Sequence, residues 1–260
     1  MSALSASSAA GPARPIRFRD LRAAELMKIT TVPATWIAFT VTFGANTLLG
    51  VIVATDVVRV GRQGGQIPIA QLGTLVFSPV YAFLAIAVFA AGSEYRGGQL
   101  RVSLVAVPDR NRLFAAKLIV SATVGIAAST AAVLPGYLVQ HAPVIRAGQR
   151  APGDVVGGLL AILAAYVLLG LVGHGFAVLA KSVVTPIATL FITPVLVSPA
   201  FQSDLPHVVK FLPHEAALSL LEMPADPATA LTPSAGLLVL ALWAAVFITT
   251  AWHVFVRRDS

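Results

Sequence analysis

Long apolar runs alternate with short polar stretches along this chain. Six runs stand out, at approximately 32–54, 69–92, 115–139, 155–180, 183–201 and 235–256. Each is about 19 to 26 residues long, and a helix needs about 20 to cross the hydrocarbon of a bilayer. A helix is the state open to such a run, because in lipid the backbone must satisfy its own hydrogen bonds. The pattern predicts an all-α polytopic membrane protein, with six transmembrane helices in one domain over 16–260. Runs four and five are separated by little more than Lys181-Ser182, so they are predicted to be antiparallel neighbours. Run five carries Pro186, Pro194 and Pro199. Each removes a backbone donor, which makes this the least straight helix, whether it bends along a pathway or only packs.

Two shorter segments have a period of their own. In FRDLRAAELMKITTVPATW, Phe18, Leu21, Leu26 and Ile29 recur at roughly helical spacing among Arg19, Arg22, Glu25 and Lys28. This predicts an N-terminal amphipathic helix lying in the membrane interface, with basic side chains towards headgroups. On charge alone, the ordinary basic bias of juxtamembrane segments is the stronger explanation. Glu25 and Lys28 sit at i,i+3 and can pair. Between runs five and six, FLPHEAALSLLEMP places Ala216, Leu220 and Leu221 on one face beside His214, Glu215 and Glu222. That predicts a short amphipathic helix at the outer interface. The opening MSALSASSAAGPARP lacks the pattern of a signal peptide and is expected to be a disordered cytoplasmic tail over 1–15.

Composition agrees with the membrane reading. The chain has 260 residues, 57% hydrophobic and 11% charged, with mean hydropathy +0.84, whereas a soluble domain is about a quarter charged. The net charge of +7 falls at the ends of apolar runs rather than on a polar domain, which argues against nucleic acid as a partner. There are no cysteines, hence no disulfides or thiolate metal sites. Arg14, Arg17, Arg19, Arg22, Lys28, Arg96, Arg101, Arg110, Arg112, Lys117, Lys181, Arg257 and Arg258 fall on one side of the predicted topology. Arg59, Arg62, Arg146, Arg150 and Lys210 fall on the other. By the positive-inside rule this places both termini and the 93–117 loop in the cytoplasm, with the chain in the inner (plasma) membrane.

That loop, SEYRGGQLRVSLVAVPDRNRLFAAK, concentrates charge between two apolar runs. Gly97-Gly98 allows a turn without a Cβ penalty, and Pro108-Asp109 is a turn signal. Leu100, Val102, Leu104 and Val105 interrupt the charges, and apolar residues so placed must bury against something: a docked soluble protein or the membrane surface. With ELMKITTVPATW near the start and a last span ending VRRDS, the loop resembles the permease subunits of type-two ABC transporters in their actinobacterial form. Glu94, Tyr95, Arg96, Gly98, Leu100, Arg101, Pro108, Arg110, Arg112, Ala116 and Lys117 match that family's pattern. Gln99 replaces its usual Thr, and Asp109 stands where a basic residue is frequent. The six-span layout extends the resemblance over nearly the whole chain.

The resemblance implies that the N-terminal helix, with Phe18, Leu21, Arg22, Glu25 and Lys28, and the first cytoplasmic loop face an ABC ATPase subunit. It implies that Glu94, Arg96 and Arg101 anchor the loop, while Arg110 and Arg112, after Pro108, engage the partner or anionic headgroups. A second permease chain, forming a homodimer, would complete the pathway, and the substrate would be a small hydrophobic or lipid-like molecule. The chain itself would bind no cofactor; ATP and magnesium would belong to the ATPase.

Other motifs are weaker. GFAVLAKS over 175–182 nearly fits a P-loop, but Ala180 replaces the second glycine and the segment ends a membrane helix rather than following a strand. His174 is the titratable side chain well inside a span and a candidate intramembrane polar site. Its neighbours Gly170, Gly173 and Gly175 favour close helix packing. No HExxH, catalytic carboxylate pair or nucleophile elbow is present, so enzymatic activity is not expected. The competing reading is a non-transporting membrane protein, an assembly, immunity or sensor factor. A proton-coupled carrier would need carboxylates within the spans.

Overall fold

In the computed structural model, residues 16–62, 65–96 and 98–257 are described. The tail expected over 1–15, with Arg14, and Gly97 and Arg258 lie outside them. The fold is α-helical, and among the described residues five helices are long and apolar enough to cross a membrane. These are α2 (Pro33–Thr55), α5 (Arg110–Arg146), α6 (Pro152–Ala180), α7 (Val184–Phe201) and α9 (Pro233–Arg257). The interfacial segment forms α1 (Phe18–Thr31). Shorter helices are α3 (Val80–Gly92), α4 (Gln99–Ala106) and α8 (Pro213–Leu220).

The second apolar run is the main correction. Instead of one helix over 69–92, it forms a 3-10 turn at Ile69–Gln71, a short helix at Gly73–Val76 and then α3. The break falls at Ser78-Pro79, where proline lacks the donor that a continuous helix needs. The 13 residues of α3 and the 3 of its 3-10 extension, Ser93–Tyr95, rise about 24 Å, short of a hydrocarbon core of about 30 Å. Ahead of this run, antiparallel strands β1 (Arg59–Arg62) and β2 (Gly65–Pro68) form a small hairpin with Val60 opposite Ile67.

Run five becomes an α-helix to Ile192, a π-helical stretch at Thr193–Val197 and a last α-helical turn. Pro186 and Pro194 are buried. The prolines thus produce an irregular helix, as their missing donors require. Lys181, at φ 50°, makes the tight turn between α6 and α7.

Packing is organised around α6, which lies along α3, α5 and α9. Phe77, Phe83, Tyr166, Leu169, Leu218 and Leu240 form the centre of the core. The α2–α5 crossing brings backbones together at Gly50 and Gly136, where any Cβ would meet the partner's main chain. Such small-residue crossings are how membrane helices gain close contact. The helix expected at the outer interface, α8, is instead enclosed: every residue from His214 to Leu220 is buried. It packs on α9, and Gly236 admits it, since a Cβ there would lie 2.6 Å from the Ala216 carbonyl oxygen.

Candidate functional site

The polar end of the bundle gathers segments far apart in sequence. On α1 the buried positions are Leu21, Glu25 and Ile29, one stripe at i,i+4,i+8. This stripe faces α5. Leu26, expected on that stripe, is 45% exposed, and a carboxylate occupies the buried place instead. Phe18 is half-buried, with the Arg22 guanidinium over its ring at 5.7 Å.

Glu25 is compensated by a four-membered ion cluster. Lys117, from the second turn of α5, places Nζ 2.8 Å from Glu25 Oε2 and 2.5 Å from Glu94 Oε1. Lys28 Nζ lies 2.7 Å from Glu25 Oε1 and 2.8 Å from Glu94 Oε1. It also donates to Ser103 Oγ on α4 at 3.3 Å. Two carboxylates and two ammonium groups therefore cancel in charge and join α1, the end of α3, α4 and α5. Glu25, Glu94 and Lys117 are each about 95% buried or more; Lys28 is the half-exposed member.

Burial alone would push the Glu94 carboxyl up, but Lys117 and Lys28 outweigh it and hold Glu94 below the usual carboxylate range. Burial likewise opposes charge on Lys28, and the bonds to Glu25 and Glu94 more than offset it, raising the ammonium above its ordinary value. Both shifts favour the ionised cluster at neutral pH.

The rest of the loop divides between inward and outward residues. Gly98, at φ 75°, starts α4 in the left-handed region that glycine adopts without strain. Leu100 and Leu104 pack on an apolar layer of Val88, Leu113, Phe114, Val178 and Phe255. Val102 and Val105 point away from it, 72% and 83% exposed. The interleaved apolar residues therefore serve two surfaces: half bury against the chain itself, half are presented outward. Arg96, Arg101, Pro108 and Arg112 are exposed, and Arg110 is half-buried. Asp109 caps α5 by accepting from the Arg112 backbone N–H at 3.1 Å. The Arg112 side chain donates to the Ile16 carbonyl at 3.3 Å.

Two more contacts close this end. Trp252 Nε1 donates to Asn111 Oδ1 at 2.9 Å, tying the last helix to the start of α5. Gly92 lets α3 meet the α6–α7 turn, where a Cβ would stand 2.9 Å from the Ser182 carbonyl oxygen. The near P-loop stretch from Gly175 to Ala180 is the end of α6, with Gly175 against the Phe247 backbone. His174 is 1% exposed, and neither ring nitrogen has a hydrogen-bond partner among the described residues. Gly173 lies against Val88, where a Cβ would sit at 3.0 Å; the glycines flanking His174 thus do pack closely.

Of the residues singled out from sequence, Glu25, Lys28 and Glu94 come together. Sequence reasoning placed Lys117 in the loop pattern but not in this cluster. The signal for Glu25 was an acid four residues from Leu21 and from Ile29. Nothing in the spacing paired it with Lys117, 92 positions away.

No protein-family model matches the chain, and no curated protein matches it in sequence.

Proposed function

We propose that this chain is the membrane-spanning permease subunit of an ABC-type exporter, driven by a separate ATPase that docks on α1 and α4. The observation that carries the reading is the neutralised ion cluster directly behind α4. A helix that presents Val102, Val105 and Arg101 outward is bonded through Lys28 to the ends of α1, α3 and α5. Such a joint can pass a push on α4 to three helices at once, because a buried, fully paired charge group resists being pulled apart. The exposed side combines apolar and cationic residues, the composition of a protein-docking patch with complementary acidic groups opposite.

In this reading the cytoplasmic side is the α1–α4 end, two copies of the chain enclose the pathway, and the cargo is apolar or amphipathic. ATP and magnesium bind the ATPase. The test is affinity purification of the tagged chain from its native membranes in mild detergent, followed by mass spectrometry. A co-purifying ATPase, lost when Arg96, Arg101 and Arg110 are changed to Glu, is the expected result. Recovery of the folded chain with no ATPase, under conditions that preserve other membrane complexes, would overturn it and favour a non-transporting role.

A further inference from the structure

At the end of α3 away from the ion cluster lies a cavity of about 150 Å³, walled by α3, α6, α7, α8 and α9. An apolar cavity of about this size stays dry and holds a single benzene-sized guest. Rings line it in two groups. On α3 and α8, Tyr81 and His214 stack with centroids 5.7 Å apart. On α6 and α9, Phe176 lies 5.3 Å from Phe247, which stacks on Trp243 at 5.8 Å.

The polar groups of these residues are engaged elsewhere. Tyr81 Oη lies 2.9 Å from His214 Nδ1. Trp243 Nε1 donates to the Phe211 carbonyl at 2.7 Å, and Thr193 Oγ1 to the Thr189 carbonyl at 2.8 Å. His214 Nε2 has no hydrogen-bond partner among the described residues, but it is sealed within the protein and offers nothing to a guest. The surface left to a guest is almost wholly apolar. A molecule carrying a hydroxyl, an amide or a charge would forfeit its hydrogen bonds on entry.

Apolarity alone selects no particular guest here. The cavity is partly open, and Thr189 in its lining is exposed. Ile192 and Leu196 on the same helix are 44% and 63% exposed. Because α7 is long and apolar enough to cross a membrane, this mouth opens towards hydrocarbon. Lipid tails are as apolar as the walls, so an alkyl guest gains little by leaving them. A ring does gain, because aromatic edges and faces attract one another beyond what burial supplies. We propose that this cavity is a binding site for a small neutral aromatic hydrocarbon. One benzene-sized ring enters from the bilayer and is held between the Tyr81–His214 pair and the Phe176–Phe247–Trp243 group. Pro194 brings the π-helical stretch of α7 to the same cavity, a wider turn of the kind that recurs at functional sites. The site is independent of whether the chain couples to an ATPase.

The test uses purified full-length protein in lipid nanodiscs, with fluorobenzene and fluorocyclohexane as probes of similar size. Both are read by fluorine NMR and corrected for their partition into protein-free discs of the same lipid. Expected is saturable binding of one fluorobenzene per chain, with fluorocyclohexane bound about five-fold more weakly for want of ring contacts. Thr193→Phe, which tethers a ring to the cavity wall, should reduce both probes to the level of protein-free discs. Phe176→Leu keeps the wall apolar but removes one ring, and should narrow the preference for fluorobenzene. Equal affinity of the two probes for the unaltered protein would mark a void that any hydrocarbon fills, lipid tails included, and would overturn the proposal. So would the lack of any saturable signal above protein-free discs. Saturable fluorobenzene binding retained by folded Thr193→Phe, or an unchanged preference in folded Phe176→Leu, would overturn it too.

Discussion

The two ends of α3 bury polar groups in opposite ways. At Glu94 the solution is charge: two acids and two bases joined by acid–base contacts of 2.5 to 2.8 Å, every member paired. At Tyr81 the solution is neutral: a phenol and an imidazole share one hydrogen bond, and one ring nitrogen is left over. A closed ionic cluster is rigid because each partner, if withdrawn, strands a buried charge. A neutral pair with a spare nitrogen has less at stake, because losing a partner strands no charge. The difference separates an ionic joint from a neutral contact within one bundle.

Removing one ion is the most direct way to break the comparison. Lys117→Met leaves Glu25 and Glu94 with only half-exposed Lys28 between them, and should cost about 3–5 kcal/mol of stability. Chemical or thermal unfolding of the detergent-solubilised protein would measure it. Adding Glu94→Gln to Lys117→Met removes the stranded charge, so the pair should be more stable than Lys117→Met alone. A double variant that merely summed two losses would show that the four ions do not act as a unit.

At the other end, Tyr81→Phe removes one neutral partner and leaves His214 Nδ1 buried without it. The expected loss is about 1–3 kcal/mol, smaller than at the ionic end. A loss equal to that of Lys117→Met would abolish the distinction.

Acid sharpens the same contrast. Glu94 titrates lower when folded than when unfolded, so its contribution is complete above its unfolded value of about 4.3 and fades as pH falls through the lower folded value. Lys28 titrates higher when folded, so its share is complete below about 10.4 and fades only as pH rises beyond that. Between those limits the cluster's contribution should be flat. The stability gap between the unaltered chain and Glu94→Gln, followed by unfolding from pH 7 to 3, should be constant and then close. A gap that widened in acid would contradict the ionised cluster.

Much of the scaffold was legible from periodicity alone. Four runs became helices within three residues of their predicted limits, and the third, expected over 115–139, extends to Arg110–Arg146, because a long apolar segment has few alternatives to a self-bonded helix. The irregularity of α7 followed from three prolines. Pro79 carried the same message for the second run, where hydropathy outweighed it and concealed a break. The burial of α8 was hidden, since His214 and Glu215 read as a solvent-facing side; only packing under Gly236 encloses them. The ion cluster was half legible. Glu25 with Lys28 is local, but Lys117 meets Glu25 only through the packing of α1 on α5, which no spacing encodes.

The smallest expected effect concerns how the last helix is held at the ionic end. Trp252 is 43% exposed; its N–H meets Asn111, and its ring stands edge-on to the neighbouring His253. Trp252→Phe keeps an aromatic surface and deletes the N–H that meets Asn111 Oδ1. Because the site is partly open, the freed amide can find another partner, and the loss should be about 0.5–1.5 kcal/mol. If α9 were merely packed beside the cluster, Trp252→Phe and Lys117→Met should add independently, their sites sharing no partner. If Asn111 transmits the position of α9 to the start of α5, and so to Lys117 two turns on, the two losses should fall short of additivity. A double-mutant cycle on unfolding midpoints distinguishes these outcomes, and non-additivity would extend the joint behind α4 to a fourth helix.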